Sequence, residues 1–136
     1  MRQAVGRSEG QVGWSPPPAV AVPPPLEFEP RRGDRAGWYL LRFVAGARGV
    51  ETRQLLSPKR GEADVALARQ LAMYLMHVVL GRLYHEVGRF FGRDRTTVSH
   101  ACAVIEDLRA DPEFDAEVSR LERRLAMRRE VKHARA

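Results

Sequence analysis

The stretch from Leu83 to Leu108, LYHEVGRFFGRDRTTVSHACAVIEDL, leaves the chain few ways to fold. Apolar residues at Leu83, Val87, Phe90 and Phe91 make a single helical stripe. Gly92 follows at once, and a glycine just past a helix end supplies the left-handed conformation that stops it. Asp94 suits the N-cap of a second helix, because its carboxylate can accept orphan amide hydrogens. That helix has its own stripe at Val98, Ala101, Cys102, Ile105 and Leu108. Its opposite face carries Thr96, Ser99, His100 and Ala103, with Arg95 and Thr97 flanking the first turn. Small, hydrogen-bonding and cationic side chains in the first turns of a helix suit base edges in a major groove. The pattern is a helix-turn-helix. Helical hairpins with a glycine turn also serve structural ends alone, but a merely solvated face carries Glu and Lys rather than Arg95-Thr96-Thr97 and Ser99-His100.

Composition points the same way without deciding it. The net charge of +6 favours an anionic partner such as nucleic acid. Only Lys59 and Lys132 are lysines, so the excess is arginine, whose bidentate fork fits phosphate and guanine. The codon usage of a GC-rich genome gives the same excess, together with the many Ala, Gly and Pro residues. Cys102 is alone, so it forms no internal disulfide or metal site and reads as a small core residue. No apolar run approaches the ~20 residues of a membrane span, and the start has no signal-peptide pattern. The expected location is cytoplasmic and nucleoid-associated.

Seven of the nine prolines fall in residues 1–35, including Pro16-Pro17-Pro18 and Pro23-Pro24-Pro25. This segment reads as a disordered, proline-rich tail, although Trp14 and Leu26-Glu27-Phe28 offer a short partner-binding motif. The folded region is expected over 36–127, with 128–136 a basic, frayed end. Its first helix spans Trp38–Ala45 and ends near Gly46 or Gly49. A brief helical turn over Thr52–Leu56 precedes Ser57-Pro58-Lys59-Arg60-Gly61, a loop by its proline and glycine and a basic one by its charges. Asp64 can cap a long central helix to about Val79, with the stripe Ala68, Leu71, Ala72, Leu75 and Val79. Met73, Tyr74 and Met76 broaden that surface, so this helix is covered on more than one side. Asp111-Pro112-Glu113 starts the last helix, which packs through Phe114, Val118, Leu121 and Leu125. Its outer face is a run of alternating charges, read as solvated. No strand pattern and no repeat is present: the fold class is all-α, a small bundle of about six helices.

Two motifs in register carry a family resemblance. Ala68-Arg69-Gln70-Leu71-Ala72-Met73-Tyr74-Leu75, then Gly92-Arg93-Asp94-Arg95-Thr96-Thr97-Val98-Ser99-His100-Ala101, resembles the C-terminal DNA-binding domain of the bacterial replication initiator DnaA. That family shows PRQIAMYL followed by GRDHTTVxHA. The likeness covers roughly 36–127 and implies an all-α, Trp-repressor-like bundle that binds double-stranded DnaA boxes. It implies base readout by Arg95, Thr96, Thr97, Ser99 and His100. It implies phosphate contact or positioning by Lys59, Arg60, Arg69, Gln70, Arg93 and Asp94. Two positions depart: Arg95 stands where the family has histidine, and Leu67-Ala68 replaces the usual Arg-Pro. The initiator's ATPase module has no counterpart, since no Gly-x4-Gly-Lys-[Ser/Thr] loop is present. The expectation is a stand-alone DnaA-like protein that binds no nucleotide.

Other chemistry finds no footing in the sequence. His85-Glu86 begins like a zinc-protease helix, but position 89 is Arg89 where a second histidine would be needed. His77 and His100 have no companions at metal spacing, and no serine or cysteine has a base partner. No enzymatic activity, metal or cofactor is expected. Two function classes stay open. One is sequence-specific duplex binding at origin-like or promoter sites. The other is an adaptor that grips the initiator or another protein through the proline-rich tail, with DNA contact secondary.

Overall fold

The computed structural model describes Arg31 and residues 33–135, with side chains through Arg129. Six helices follow one another: α1 Arg35–Arg48, α2 Thr52–Leu55, α3 Ala63–Val78, α4 Tyr84–Phe91, α5 Arg95–Leu108 and α6 Pro112–Arg135. No strand occurs among the described residues. The proposed tail, apart from its last few residues, lies outside them.

The central helix is α3. It buries Val65, Leu71, Met73, Tyr74, Leu75 and Met76, so the broadened apolar surface expected from Met73, Tyr74 and Met76 is real. Helices α1, α2, α4 and α5 all pack against it. The stripe residues Leu71, Leu75, Val87, Val98, Ile105 and Leu121 are each at most 5% exposed, which at roughly 25 cal/mol per Å² of apolar surface makes this core the main stabilising term. Val79 and Phe114 are partly buried, and two stripe residues are exposed, Leu83 at 56% and Leu108 at 39%. Leu83 is the N-cap of α4 and Leu108 the last residue of α5, so both lie beyond the neighbouring helices.

Several boundaries differ from the sequence reading, each for a local reason. α1 begins three residues before Trp38, because Asp34 caps it by accepting from the Gly37 amide at 2.9 Å. The same carboxylate takes both Nη atoms of Arg82, at 2.7 and 2.9 Å. Asp34 and Arg35 thus belong to the folded unit, not the tail. α3 starts at Ala63 with Glu62 at its N-cap, while Asp64 sits in the first turn and favours the helix dipole from there. α6 continues to Arg135 instead of fraying near Met127. Residues 126–135 contain no glycine or proline and are mostly strong helix formers, and Arg129 donates to the Val79 carbonyl at 2.7 Å.

The charges of α6 are not simply solvated. Arg109, just past α5, donates to Asp115, Ser119 and Glu122 of α6 and to the Tyr74 hydroxyl of α3. Glu117 accepts two bonds from Arg48 of α1. These bonds fix α6 across the bundle.

Asp34 yields a testable pH dependence. Burial alone would raise its pKa, but the Arg82 hydrogen bonds, the Gly37 amide and the Arg82 charge outweigh it and hold the carboxyl below its usual value. A depressed folded pKa stabilises above the unfolded value near 3.8, and that stabilisation is lost as pH falls through the folded value. Asp34→Ala should cost about 1–2 kcal/mol at neutral pH by loss of cap and ion pair. Urea titrations from neutral pH to pH 3 should show the gap between variant and wild type closing on acidification. A gap independent of pH would exclude the ionised carboxylate as its source.

Candidate nucleic-acid interface

The apex between α4 and α5 is built from backbone geometry. Gly92 takes φ 70°, ψ 33°, the left-handed cap that ends α4. The Arg93 amide then turns back to the Gly88 carbonyl at 2.8 Å. A Cβ on Gly88 would lie 2.5 Å from the Arg93 carbonyl oxygen, so this close crossing requires a residue without a side chain.

Asp94 follows as the N-cap of α5. Its Oδ1 accepts from the Thr97 amide at 3.0 Å and from the hydroxyls of Thr96 at 2.6 Å and Thr97 at 3.2 Å. The Thr96 hydroxyl and the Thr97 amide hold this fully exposed carboxyl below its usual pKa. Both threonine hydroxyl protons are thereby engaged, while each oxygen keeps the capacity to accept. Val98, Ala101, Cys102 and Ile105 face inward and seat α5 on α3 and α4. Burial pushes the Cys102 thiol up to about 11, aided by Glu106, so it stays protonated in the core. The outer face leaves Arg95, Thr96, Ser99 and His100 exposed, with Thr97 half-buried.

Beside this turn lies the loop after α2, in which Pro58, Lys59, Arg60 and Gly61 are exposed. Its shape depends on Arg69 of α3. That guanidinium donates from Nε to the Leu55 carbonyl at 2.9 Å and from Nη2 to the Gln54 carbonyl at 2.8 Å. From Nη1 it reaches the Arg60 carbonyl at 3.0 Å. One fork thus ties the carbonyls at the end of α2 to the far side of the loop. Burial, then the charges of Arg93 and Arg60, lower the Arg69 pKa, yet an arginine remains cationic.

At 3% exposure Arg69 lies within the fold, its guanidinium turned to these three carbonyls. The resemblance left phosphate contact and positioning open for this residue, and the three bonds it makes here are internal ones. Arg93 is half-buried and donates from Nη2 to the Ser57 carbonyl at 2.8 Å, bridging the helix-turn-helix apex to the loop. Lys59, Arg60 and the first turn of α5 therefore belong to one connected frame. Gln70 is half-buried next to Arg69. Leu67, where the family often has arginine, packs partly against the core. The clamp was invisible in the sequence, because no local pattern shows a guanidinium reaching back 14 residues.

Among the described residues no three His, Cys, Asp or Glu side chains form a metal-binding group. No described helix is long and apolar enough to cross a membrane.

Comparison with known proteins places this geometry. Residues 39–105 match the family model of the bacterial dnaA protein helix-turn-helix. The chromosomal replication initiator protein DnaA of Sphingopyxis alaskensis is 48% identical over 75 residues, covering 54% of this chain and 17% of that protein. The DnaA of Deinococcus radiodurans is 38% identical over 87 residues, covering 63% of this chain and 18% of that protein. A solved structure of replication initiator DnaA bound to AMPPCP and single-stranded DNA superposes with a TM-score of 0.63 at 31% identity. It covers 74% of this chain and 31% of the other. The crystal structure of a DNA replication initiation factor gives 0.65 at 32% identity, covering 76% of this chain and 32% of the other. The chain spans less than a fifth of the length of the two curated relatives. Its residues 39–105 are a helix-turn-helix domain of the bacterial DnaA family.

Proposed function

We propose that this chain binds double-stranded DNA sequence-specifically, with α5 in the major groove and the Ser57–Gly61 loop on the backbone, at origin-like or promoter sites. The carrying observation is the first turns of α5. Arg95, Thr96, Ser99 and His100 are exposed there, and Arg93 ties them to the basic loop. Kinship with proteins named as chromosomal replication initiators favours replication initiation over transcription control. Such a role would keep the protein on the nucleoid.

Exposed cations on the loop should make binding strongly salt-dependent, because each phosphate contact releases counterions. Lys59→Ala and Arg60→Ala should each weaken all sequences alike and lower the log–log salt slope by roughly one. A gel-shift series with a DnaA box, a scrambled box and competitor DNA at rising salt measures this. Affinity that hardly responds to salt would return the adaptor reading.

Base choice should follow Arg95. Its guanidinium can span guanine O6 and N7 with two hydrogen bonds, a contact that the family's histidine cannot make. The preferred site should then differ from a DnaA box at the base facing Arg95, with guanine favoured. Arg95→Ala should cost about 1–3 kcal/mol and relax preference at that one base pair. Site selection on both proteins is the check: a uniform loss with an unchanged motif makes Arg95 a phosphate contact.

A further inference from the structure

The side of the bundle formed by α1 and α6 is also cationic, and its charge is unbalanced. Asp115 and Glu122 of α6 are spent on Arg109, and Glu117 on Arg48. Among the described side chains of α6, Glu113 is the one acid outside an ion pair, whereas Arg120, Arg123, Arg124 and Arg128 are exposed. Exposed Arg35 and Arg42 of α1 add to them.

Along this seam a groove of about 510 Å³ opens, lined by Trp38, Leu80 and Leu125 together with Arg35, Arg42, Arg128 and Arg129, and by Asp34, whose charge is taken by Arg82. That volume falls within the roughly 300–1,000 Å³ of pockets that bury small ligands or single anchoring groups. No residue of α5 or of the basic loop lines it.

We propose that this groove docks an acidic peptide segment of a partner protein through one bulky apolar side chain. The apolar lining takes the anchor, and the arginines beside it pair the flanking carboxylates with the planar fork suited to them. A single nucleic-acid strand fits less well, since it needs open ring faces to stack on. Tyr39 has none. Phe43 stacks on it at 6.0 Å with 13° between the rings, and the Arg128 guanidinium carbon lies 3.9 Å from its centroid. Trp38 is half-buried and meets Phe90 edge-on at 6.1 Å. Because the groove and α5 share no residue, peptide and duplex can be held together, and the DNA-bound protein becomes a landing point for a second protein.

The test is fluorescence anisotropy on the full chain, with a short labelled peptide of alternating glutamate and leucine. The same peptide with serine for leucine and a single-stranded oligothymidine serve as competitors. The leucine peptide should bind saturably at one site, and the serine peptide should compete at least about tenfold less well. Arg42→Glu combined with Arg128→Glu should weaken the peptide by about tenfold or more. Duplex affinity should stay within about twofold, as expected for distant, independent sites. Arg35→Glu, at the exposed start of α1, should weaken the peptide in the same direction and guards against misfolding of the double variant. Absence of binding, or equal competition by the serine peptide, overturns the proposal. So does displacement by oligothymidine, or a matching loss of duplex affinity in the charge variants, either of which makes the seam a nucleic-acid surface.

Discussion

Gly88→Ala should lower the stability of the domain by about 2 kcal/mol, and Gly46→Ala should raise it. Both glycines lie within helices, α4 and α1, where alanine is the better helix former by roughly 1 kcal/mol. They differ in what a methyl group meets. At Gly46 nothing stands within 4 Å of the added carbon, so the gain of about 0.4–1 kcal/mol from a less flexible unfolded chain goes unopposed. At Gly88 the same carbon falls 2.5 Å from the Arg93 carbonyl oxygen and 3.3 Å from the Asp94 carbonyl carbon. Those atoms are main chain and cannot swing aside. The turn must open, straining the Arg93-to-Gly88 hydrogen bond and shifting the Asp94 cap with the first turn of α5. Overpacking of this kind costs about 1–3 kcal/mol. Urea midpoints at unchanged slope measure both variants. If the domain binds duplex DNA, Gly88→Ala should also lose affinity under conditions where it is still fully folded. Equal midpoints for wild type and Gly88→Ala would show that the apex is slack, and the close-crossing account would fail.

The apex was legible in the sequence because its signals are local. Gly92 and Asp94 sit at fixed offsets from two apolar stripes, and capping chemistry needs only neighbours in the chain. The burial of Met73, Tyr74 and Met76 was readable for the same reason. What escaped were features set by distant partners. Asp34 looked like part of a polar tail, because the Arg82 that recruits it lies 48 residues on. The acids of α6 looked solvated until Arg48 and Arg109 were found opposite them. Arg69 carried a family signature, and a cation in a DNA-binding motif invites a phosphate. In this fold Arg69 is buried and turned to three main-chain carbonyls instead. Long side chains with several donors are the hardest to place from sequence, since their reach exceeds any helical or strand period.

Arg69 therefore gives the sharpest separation between positioning and direct contact. Arg69→Ala leaves the Leu55, Gln54 and Arg60 carbonyls without their shared donor and empties a buried site. Hydrogen bonds from charged groups contribute about 1.5–3 kcal/mol each, and part of that loss is recovered where water can reach the loop. A net loss of about 2–4 kcal/mol is expected on thermal or urea unfolding. If the domain binds duplex DNA through its basic loop, the consequence there should exceed one contact. With the loop released, Lys59 and Arg60 lose their fixed places together, so the salt slope should drop by roughly two. Discrimination between base sequences should change little. Arg69→Lys decides the matter. A lysine keeps the charge but presents one compact ammonium in place of a planar fork, so it cannot bridge carbonyls on both sides of the loop. It should recover little of either stability or affinity. If Arg69→Lys instead restores near-normal DNA binding, while Arg69→Ala loses affinity with stability intact, Arg69 acts directly on a phosphate and the clamp is incidental.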